Sequence, residues 1–298
     1  MPSLEDVRVL AEGLEFPEGP IAEPDGAVLL VEMTGHRLSR VRDGAVEKVV
    51  EVDAFPNGAA YGPDGAVYIT AWGSGSGRIL RFDESAGTVE VLYDQCDGVP
   101  FLNPNDLVFD AAGGFWFTDY RGGALHYALA DGSSVTKVVD QARTPNGVGL
   151  SPDGGTLYWA ETQTRQVHRR TIVRPGVVEP TPGCDSHAVA AGAPLDPGSI
   201  LAGFGGYCEL DSLAVDSAGN VCVGTLLGGG ITVVAPDGSA ELYSLPDGMA
   251  DLLVTNICFG GDDMTTAYIT LSQTGRLIRC RWPRPGLRLA YERRGGHR

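Results

Sequence analysis

The stretch GPDGAVYITAWGSGSGRILRF, residues 62–82, contains the pattern that decides the fold. It begins with a turn at Asp64, continues with an apolar run over 66–72, turns again through a small polar segment and ends in a second apolar run. An Asp-Gly pair favours a tight turn between strands, because Gly accepts positive φ and the Asp side chain hydrogen-bonds the backbone. The stretch therefore predicts an antiparallel hairpin.

The same pattern occurs six times along the chain. The copies are marked by an acidic turn residue, 39 to 63 residues apart, and these residues are Asp25, Asp64, Asp110, Asp153, Asp216 and Asp262. A repeat of roughly 40–50 residues built from short strands is typical of a propeller blade. No segment sustains the apolar spacing of an amphipathic helix. The repeats predict an all-β, six-bladed β-propeller, with four antiparallel strands per blade, in one domain over 1–298.

Two segments depart from the repeat. The fourth step is long because it contains a Pro-, Gly- and Ala-rich segment, 174–199, which predicts a long surface connection. The C-terminal residues 293–298 predict a frayed, solvated tail.

Composition restricts the classes of partner. With 38 acidic and 22 basic residues, the formal net charge is -16, which disfavours nucleic acid and anionic membranes as partners. The N-terminal residues lack a basic and apolar leader, and the six cysteines show no paired spacing, so reduced thiols and a cytoplasmic location are expected. We expect a small-molecule substrate and a monomer or weak homo-oligomer.

One polar residue precedes each acidic turn by five to seven positions, where the innermost strand of a blade should begin. We call these six residues the ring, and they are Glu18, Asn57, Asn105, Asn146, Asp211 and Asn256. A single Asn next to Pro or Gly is an ordinary turn former. Radial symmetry, however, would bring all six side chains to one mouth of the central channel, and none of them is Lys or Arg.

Oxygen-bearing side chains on one ring favour a hard divalent cation, because such cations take six to eight oxygen ligands. The ring contains two carboxylates and four amides but no imidazole or thiolate. This predicts one bound divalent cation in the central channel, Ca²⁺ first, with Mn²⁺, Mg²⁺, Fe²⁺ and Zn²⁺ as alternatives.

Five motifs in this order resemble a known family: FPEGPI, PNDLVFDAAGGFWFTD, TPNGVGLSPDGGTLYWAET, LDSLAVDSAGN and TNICFGGDDMTTAYIT. The chain is similar over nearly its whole length to the six-bladed propellers grouped as senescence marker protein 30, gluconolactonase and luciferin-regenerating enzyme. The resemblance implies lactonase activity and a catalytic cation held by Glu18, Asn146 and Asp211, with Asn105 as a fourth ligand or substrate contact.

The resemblance also points to substrate contacts, with two departures from the family. Sugar lactonases of the family often have an Arg two residues before the third ring position, where this chain has Asn103, and Ser212 follows Asp211 where Gly is common. We expect substrate contacts at Asn103, Asn105, Asp119, Tyr120 and Ser212. Trp72 lies at a strand end where it can wall a pocket, and Asp106 can orient water or be an ordinary turn acid.

These residues favour a metal-dependent hydrolase that opens a sugar lactone or another small lactone. The cation would polarise the carbonyl, Asp211 would act as the general base, and Glu18 would be chiefly a ligand. One alternative is the same site catalysing phosphotriester hydrolysis or a non-hydrolytic biosynthetic step. Another is a non-catalytic propeller that the metal stabilises and that binds a ligand or partner.

Overall fold

Six antiparallel sheets surround a central channel in the computed structural model, which describes residues 2–73, 75–180 and 199–293. The inner strands contact one another in chain order, and the last contacts the first, so the sheets close a circle. Within the described residues there is no α-helix. The predicted all-β, six-bladed propeller with four antiparallel strands per blade is confirmed.

The strands of the six blades follow a common order from the channel outward. The inner strands are β2 (Pro17–Ala22), β6 (Phe55–Tyr61), β12 (Pro104–Phe109), β16 (Pro145–Leu150), β21 (Glu209–Val215) and β25 (Val254–Gly260). The second strands are β3 (Val28–Glu32), β7 (Val67–Gly73), β13 (Gly114–Asp119), β17 (Thr156–Glu161), β22 (Val221–Leu226) and β26 (Thr266–Leu271). The third strands are β4 (Arg37–Arg42), β8 (Ser76–Asp83), β14 (Ala124–Leu129), β18 (Gln166–Arg174), β23 (Gly230–Val234) and β27 (Arg276–Arg281). The outer strands are β5 (Ala45–Glu51), β9 (Thr88–Tyr93), β15 (Val135–Val139), β20 (Ile200–Gly203), β24 (Ala240–Ser244) and β1 (Glu5–Ala11).

The N-terminal strand closes the propeller. β1 pairs antiparallel with β27, so the sixth blade takes three strands from the end of the chain and one from its beginning. The pairing completes the sixth blade with a strand from the beginning of the chain and leaves β27 without an exposed edge. A short hairpin of β10 (Gln95–Cys96) and β11 (Val99–Pro100) lies between the second and third blades.

The predicted connection 174–199 begins with regular structure. β18 extends to Arg174 and pairs with β19 (Val177–Val178), while the outer strand β20 returns to pair with β18. Residues 181–198 of the predicted connection lie outside the described residues. Of the predicted tail, 294–298 also lie outside them, but Arg293 forms ion pairs with Glu23 and Glu84 and is not frayed.

The hydrophobic core is divided among the blade interfaces. Six clusters of buried apolar side chains each combine residues of two neighbouring blades, including a cluster between the sixth and first. Sheets buried on both faces explain the nearly continuous apolar runs of the second strands, such as Val28–Glu32. Each blade is therefore stabilised by its neighbours, and the ring of inner strands is set by this packing.

The acidic turn residues act as predicted in five blades. In the first, Asp25 Oδ1 accepts the backbone N–H of Ala27 at 3.2 Å, and the same contact recurs in the next four. In the sixth blade the prediction of Asp262 is wrong by one residue, because Asp263 Oδ1 accepts the N–H of Thr265 at 3.0 Å. Met264 there adopts φ 57°.

A C-terminal strap, residues 284–293, covers the end of the channel opposite the ring. Leu287 donates its N–H to Val215, and the Tyr291 ring lies 5.7 Å from that of Phe109. A cavity of about 530 Å³ lies between inner-strand residues such as Ile21 and Leu213 and the strap. The strap and the ring therefore lie at opposite ends of the channel.

Two further predictions concern the whole chain. Over the described ranges, there is no helix long and apolar enough to span a membrane. The five cysteines in those ranges are free, and they are Cys96, Cys208, Cys222, Cys258 and Cys280.

Candidate functional site

The six ring residues lie together at one end of the channel, as the sequence predicts. All are buried, with exposed fractions of 2 to 9%. Each lies within the first three residues of its inner strand, where the pairing with the second strand shifts register. Bulges of this kind re-aim side chains and recur beside functional sites. Every blade therefore combines a polar residue and a bulge at the same height of the channel.

Glycines after three of the ring residues allow the inner strands to approach closely. A Cβ on Gly58 would lie 2.7 Å from the carbonyl oxygen of Asn105, and one on Gly147 would lie 2.5 Å from the backbone nitrogen of Leu213. Neither contact is compatible with a side chain. The Gly in the Asn-Gly pairs is therefore required by packing between blades and not only by a turn.

Hydroxyl groups of the second strands fix the backbone of the ring. The Thr118 hydroxyl donates to the carbonyl of Asn146 at 2.6 Å, and the Thr70 hydroxyl donates to the carbonyl of Asn105. In the sixth blade the Ser272 hydroxyl donates to the carbonyl of Pro17 at 2.7 Å. Each of these bonds joins one blade to a residue at or beside the ring in the next, so the ring is held by fixed backbone positions.

The four ring amides differ in how their oxygens are used. Asn57 Oδ1 and Asn105 Oδ1 are buried and accept no hydrogen bond from any described residue. Asn146 donates Nδ2–H to Thr162 at 3.1 Å, and its Oδ1 is 3.5 Å from the Ser212 hydroxyl. Asn256 Oδ1 accepts the N–H of Ile257 at 2.8 Å. Leaving a buried acceptor without a partner costs about 1–3 kcal/mol, so the oxygens of Asn57 and Asn105 are candidate ligand-binding atoms.

Three carboxyl groups are buried at this end of the channel. Burial raises the pKa of Glu18 well above its usual value, and the charges of Asp211 and Asp106 raise it further. Burial is also the main cause that raises the pKa of Asp106 and of Asp211 to about 7. Among the described residues, no Lys or Arg side chain lowers the pKa of Asp106 or Asp211. When these carboxyl groups are ionised, no basic side chain among the described residues balances their charge.

Asp106 belongs to the site, although the sequence left its role open. It follows Asn105 at a position where three of the other blades have Gly, and Gly58 leaves room for it, since a Cβ there would lie 2.7 Å from Asp106 Oδ1. Ser212 hydrogen-bonds its carboxyl group. The signal in the sequence was the replacement of Gly by Asp after a ring Asn.

The other predicted contact residues have different surroundings. Both carboxylate oxygens of Asp119 accept backbone N–H groups, from Leu102 at 3.0 Å and from Asn103 at 2.7 Å. Asp119 therefore holds the segment before Asn105 in place, and its role as a substrate contact stays a prediction. Asn103 is buried, and its carbonyl accepts the N–H of Tyr120.

Tyr120 lies at the mouth, where Thr162 hydrogen-bonds its side chain. Burial raises its pKa, and the charges of Asp211 and Glu209 raise it further. Ser212 is fully buried between Asp106 and Asn146. These two predicted contacts are thus close to the ring.

The oxygens of the ring match a hard cation better than a soft one. No group of three or more His, Cys, Asp and Glu side chains arranged around one point occurs in the described ranges. The ring differs from such a group because it mixes carboxylates with amides. Carboxylate and amide oxygens are the ligand set that Ca²⁺ takes in proteins, so the residues fit the predicted ion.

Fold and ring together define a six-bladed propeller with an oxygen-lined site at one end of its channel. The chain matches the family model for the SMP-30/Gluconolactonase/LRE-like region over residues 16–273. It belongs to this family, and the resemblance drawn from the sequence motifs is confirmed.

Individual relatives agree with this assignment. The chain is 28% identical over 245 residues to lactonase drp35 from Staphylococcus saprophyticus, covering 78% of this chain and 70% of that protein. Matches to lactonase drp35 of other staphylococci span 55% of their length.

Solved structures show the same fold. A gluconolactonase from Xanthomonas campestris is 21% identical with a TM-score of 0.73, over 93% of this chain and 89% of that one. The calcium-binding protein regucalcin from Agrobacterium tumefaciens is 18% identical with a TM-score of 0.76, over 99% of this chain and 100% of that one.

Proposed function

We propose that the protein is a divalent-cation-dependent hydrolase that opens a lactone. The observation that carries the proposal is the pairing of two orphaned amide oxygens, on Asn57 and Asn105, with buried carboxyl groups that lack a basic partner. A cation would satisfy both at once. The names of the staphylococcal relatives and of the Xanthomonas structure support a lactone as the substrate class.

Glu18, Asn146, Asp211 and Asn105 would hold the cation, and the orphaned oxygen of Asn57 extends this set. Asn256 is not included in this set, because its Oδ1 already accepts the N–H of Ile257 and its Nδ2 lies 3.4 Å from Glu18 Oε2. It therefore orients the Glu18 carboxylate. A bound divalent cation would draw electron density from the lactone carbonyl and stabilise the negative charge that forms on its oxygen.

Asp211 would act as the general base. Its carboxylate accepts a proton from the attacking water, the water oxygen adds to the lactone carbonyl, and the ring C–O bond then breaks. The same proton returns to the departing alkoxide, which gives the open hydroxy acid. Asn146 orients Asp211 through a side-chain hydrogen bond, and Thr162 in turn fixes Asn146 at 3.1 Å.

The proposal is tested by removing the cation. Dialysis against a chelator should abolish hydrolysis of a lactone panel and lower Tm, and adding Ca²⁺ should restore both. A phosphotriester assayed beside the panel tests the alternative chemistry of the same site. A protein that loses stability on chelation but never turns over any lactone would instead be a metal-stabilised binding propeller.

A further inference from the structure

A carboxylate holds the segment before the ring in three of the six blades. In each of them the last residue of the second strand is an acid, and one of its oxygens accepts the backbone N–H of the residue three positions before the ring residue. The donors and acceptors are Glu15 and Glu32 at 2.7 Å, Leu102 and Asp119 at 3.0 Å, and Arg143 and Glu161 at 3.0 Å. The contact therefore recurs at one position of the repeat.

The residue after each acid makes a second contact with the same segment. Its backbone N–H donates to the carbonyl of the residue two positions before the ring residue. The pairs are Met33 and Phe16 at 2.9 Å, Tyr120 and Asn103 at 2.8 Å, and Thr162 and Thr144 at 3.1 Å. Two hydrogen bonds to neighbouring residues fix both the position and the direction of the segment, and we call this pair of contacts a carboxylate clamp.

Two of the clamped segments have a strained backbone. Phe16 adopts φ 58° and Thr144 adopts φ 53°, a region that bulky and β-branched residues rarely occupy. Each lies two residues before its ring residue, Glu18 or Asn146. Such strain persists only where the surrounding structure imposes it, so the backbone that leads into these two ring residues depends on its clamp.

The clamped blades are those of three of the four proposed ligands, namely Glu18, Asn105 and Asn146. In these blades the acid is the cross-strand partner of the Pro before the ring residue. The equivalent positions of the second and fifth blades are Ala71 and Thr225, neither of which has a carboxylate. A blade of this propeller therefore forms without the clamp.

The sixth blade has a variant of the contact. Asp251, which precedes the inner strand, accepts the N–H of Leu253 at 2.7 Å through Oδ1, and Leu253 lies three positions before Asn256. Asn256 is not among the proposed ligands, but its Nδ2 is 3.4 Å from Glu18 Oε2. All four carboxylates thus hold the approach to a proposed ligand or to its neighbour.

Both oxygens of each clamping acid already accept hydrogen bonds. Glu161 Oε2 accepts the Thr164 hydroxyl at 2.8 Å, while its Oε1 accepts the clamped N–H. Both oxygens of Asp119 accept backbone N–H groups, and both oxygens of Glu32 accept the Arg37 guanidinium. These acids therefore act on the ring through the backbone.

We infer that Glu32, Asp119 and Glu161 are positioning residues whose clamps preset the ring and so determine its affinity for Ca²⁺. This inference rests on the proposed function, because it concerns the same cation. Residues that orient metal ligands typically contribute about ten- to hundredfold to metal affinity. Without a clamp, the ligand segment must be ordered when the cation binds, and that cost weakens binding.

Calorimetric titration of Ca²⁺ into full-length protein, stripped with chelator and dialysed, tests the clamp of the fourth blade. Glu161→Ala should raise Kd about tenfold. Glu161→Gln should keep a Kd close to that of the wild type, because the amide oxygen still accepts the N–H of Arg143 and the amide nitrogen can donate to the Thr164 hydroxyl. Equal losses in the two variants would show that charge and not the hydrogen bond supports the cation, and would overturn the inference.

Asp119→Asn carries the opposite expectation for an amide. Asp119 Oδ2 accepts the N–H of Leu102 and Oδ1 accepts that of Asn103, so the new NH₂ group faces a donor in either orientation. Kd should rise about tenfold, and this variant decides the question if Glu161→Ala does not fold. Loss of a substrate contact alone would not change a Ca²⁺ affinity measured without substrate.

Asp216→Asn is the matched control at the strap end. Asp216 is fully buried, and its Oδ1 accepts the N–H groups of Ala218 and Asn220, each at 2.9 Å. The variant should lower Tm and keep the wild-type Kd. A wild-type Kd in folded Asp119→Asn and Glu161→Ala would overturn the inference and leave the proposed cation in place. A wild-type protein that binds no Ca²⁺ would remove the cation from the proposed function, and the role of the clamps with it.

Discussion

The two ends of the central channel both contain buried charges, but they treat them in opposite ways. At the strap end, Glu23 accepts hydrogen bonds from Arg40 at 2.8 and 3.1 Å and from the Tyr61 hydroxyl at 2.7 Å. Arg40 also pairs with Glu84 at 3.0 Å. At the ring end, burial raises the pKa of Glu18, Asp106 and Asp211, and the charge of Asp211 raises the pKa of the other two further. No Arg or Lys side chain among the described residues pairs with them. Charges that are paired hold the blades together, whereas the carboxyl groups without such partners lie where we propose that a cation binds.

The largest expected effect is on catalysis at the ring end. Asp211→Asn should lower kcat by about a thousandfold, because it removes the proton acceptor while keeping the shape of the side chain. The metal-free variant should be at least as stable as the wild type, since a buried carboxyl with a raised pKa is replaced by a neutral amide. Steady-state kinetics and thermal melting in chelator check both statements.

Asp237→Asn serves as the control for this substitution. Asp237 is an exposed turn acid of the same blade whose Oδ1 accepts the N–H of Ser239 at 2.9 Å. Its kcat should be close to that of the wild type. Near-normal turnover in Asp211→Asn would mean that the two ends of the channel do not differ as described.

At the strap end the expected effect is on stability. Arg40→Met leaves Glu23 buried without its main partner, which should cost about 3–5 kcal/mol of unfolding free energy, or roughly 10 °C in Tm. The exposed pair of Arg42 with Asp25, whose side chains are each 46% exposed, provides the comparison. Arg42→Met should cost less than about 1 kcal/mol.

Activity separates the strap-end substitution from one at the ring. The kcat of folded Arg40→Met should match that of the wild type, as measured at a temperature well below its Tm. A loss of kcat without a loss of stability would place this network in catalysis instead.

Stability of the metal-free protein should depend on pH in the direction set by the ring. Asp106 and Asp211 have pKa values raised from 3.8 to about 7, so the folded state binds more protons than the unfolded state between these values. Their contribution to stability is full below about pH 4 and is lost as pH rises through about 7. Tm in chelator should therefore fall from pH 5 to pH 8.

Added Ca²⁺ should remove most of this pH dependence, because the cation binds the ionised carboxylates. A metal-free Tm that rises over the same range would contradict the assignment of unpaired charge to the ring end.

The smallest expected effect concerns the hydroxyl groups that fix the ring. Thr118→Val removes the hydrogen bond to the Asn146 carbonyl and the acceptor for the N–H of Asp106, at a cost of about 1 kcal/mol. We expect kcat to fall several-fold because both residues lie beside the base. Among the described residues, the Thr225 hydroxyl bonds only within its own blade, to Val223 and Thr232, so Thr225→Val should lose similar stability and keep its kcat.

Local patterns in the sequence were enough to predict the blades and the ring. Asp25 and its counterparts act within two residues of themselves, and such turns need no distant partner. The one error among them, Asp262 for Asp263, arose because the sixth turn has Met264 where most of the others have Gly. The ring was predictable because equivalent positions of a radial repeat must meet at the axis.

Contacts between residues that are distant in the chain were not predictable in the same way. Asp119 resembles a site acid in the sequence, but its oxygens accept N–H groups from a loop that precedes it by sixteen or more residues. The inclusion of Asp106 likewise depends on distant residues, because Gly58 and Ser212 belong to other blades. So does the closure of the sixth blade by β1.

The sequence alone therefore determined the number of blades, the height of the polar residues along the channel and the oxygen character of the site, because these follow from repetition and residue type. Which oxygens remain without partners, which acids are paired and which end of the channel is covered were decided only by the tertiary structure. The physical reason is that the desolvation and pairing of a charge depend on groups brought close by packing, and in this chain Glu18 and Asn256 meet although 238 positions separate them.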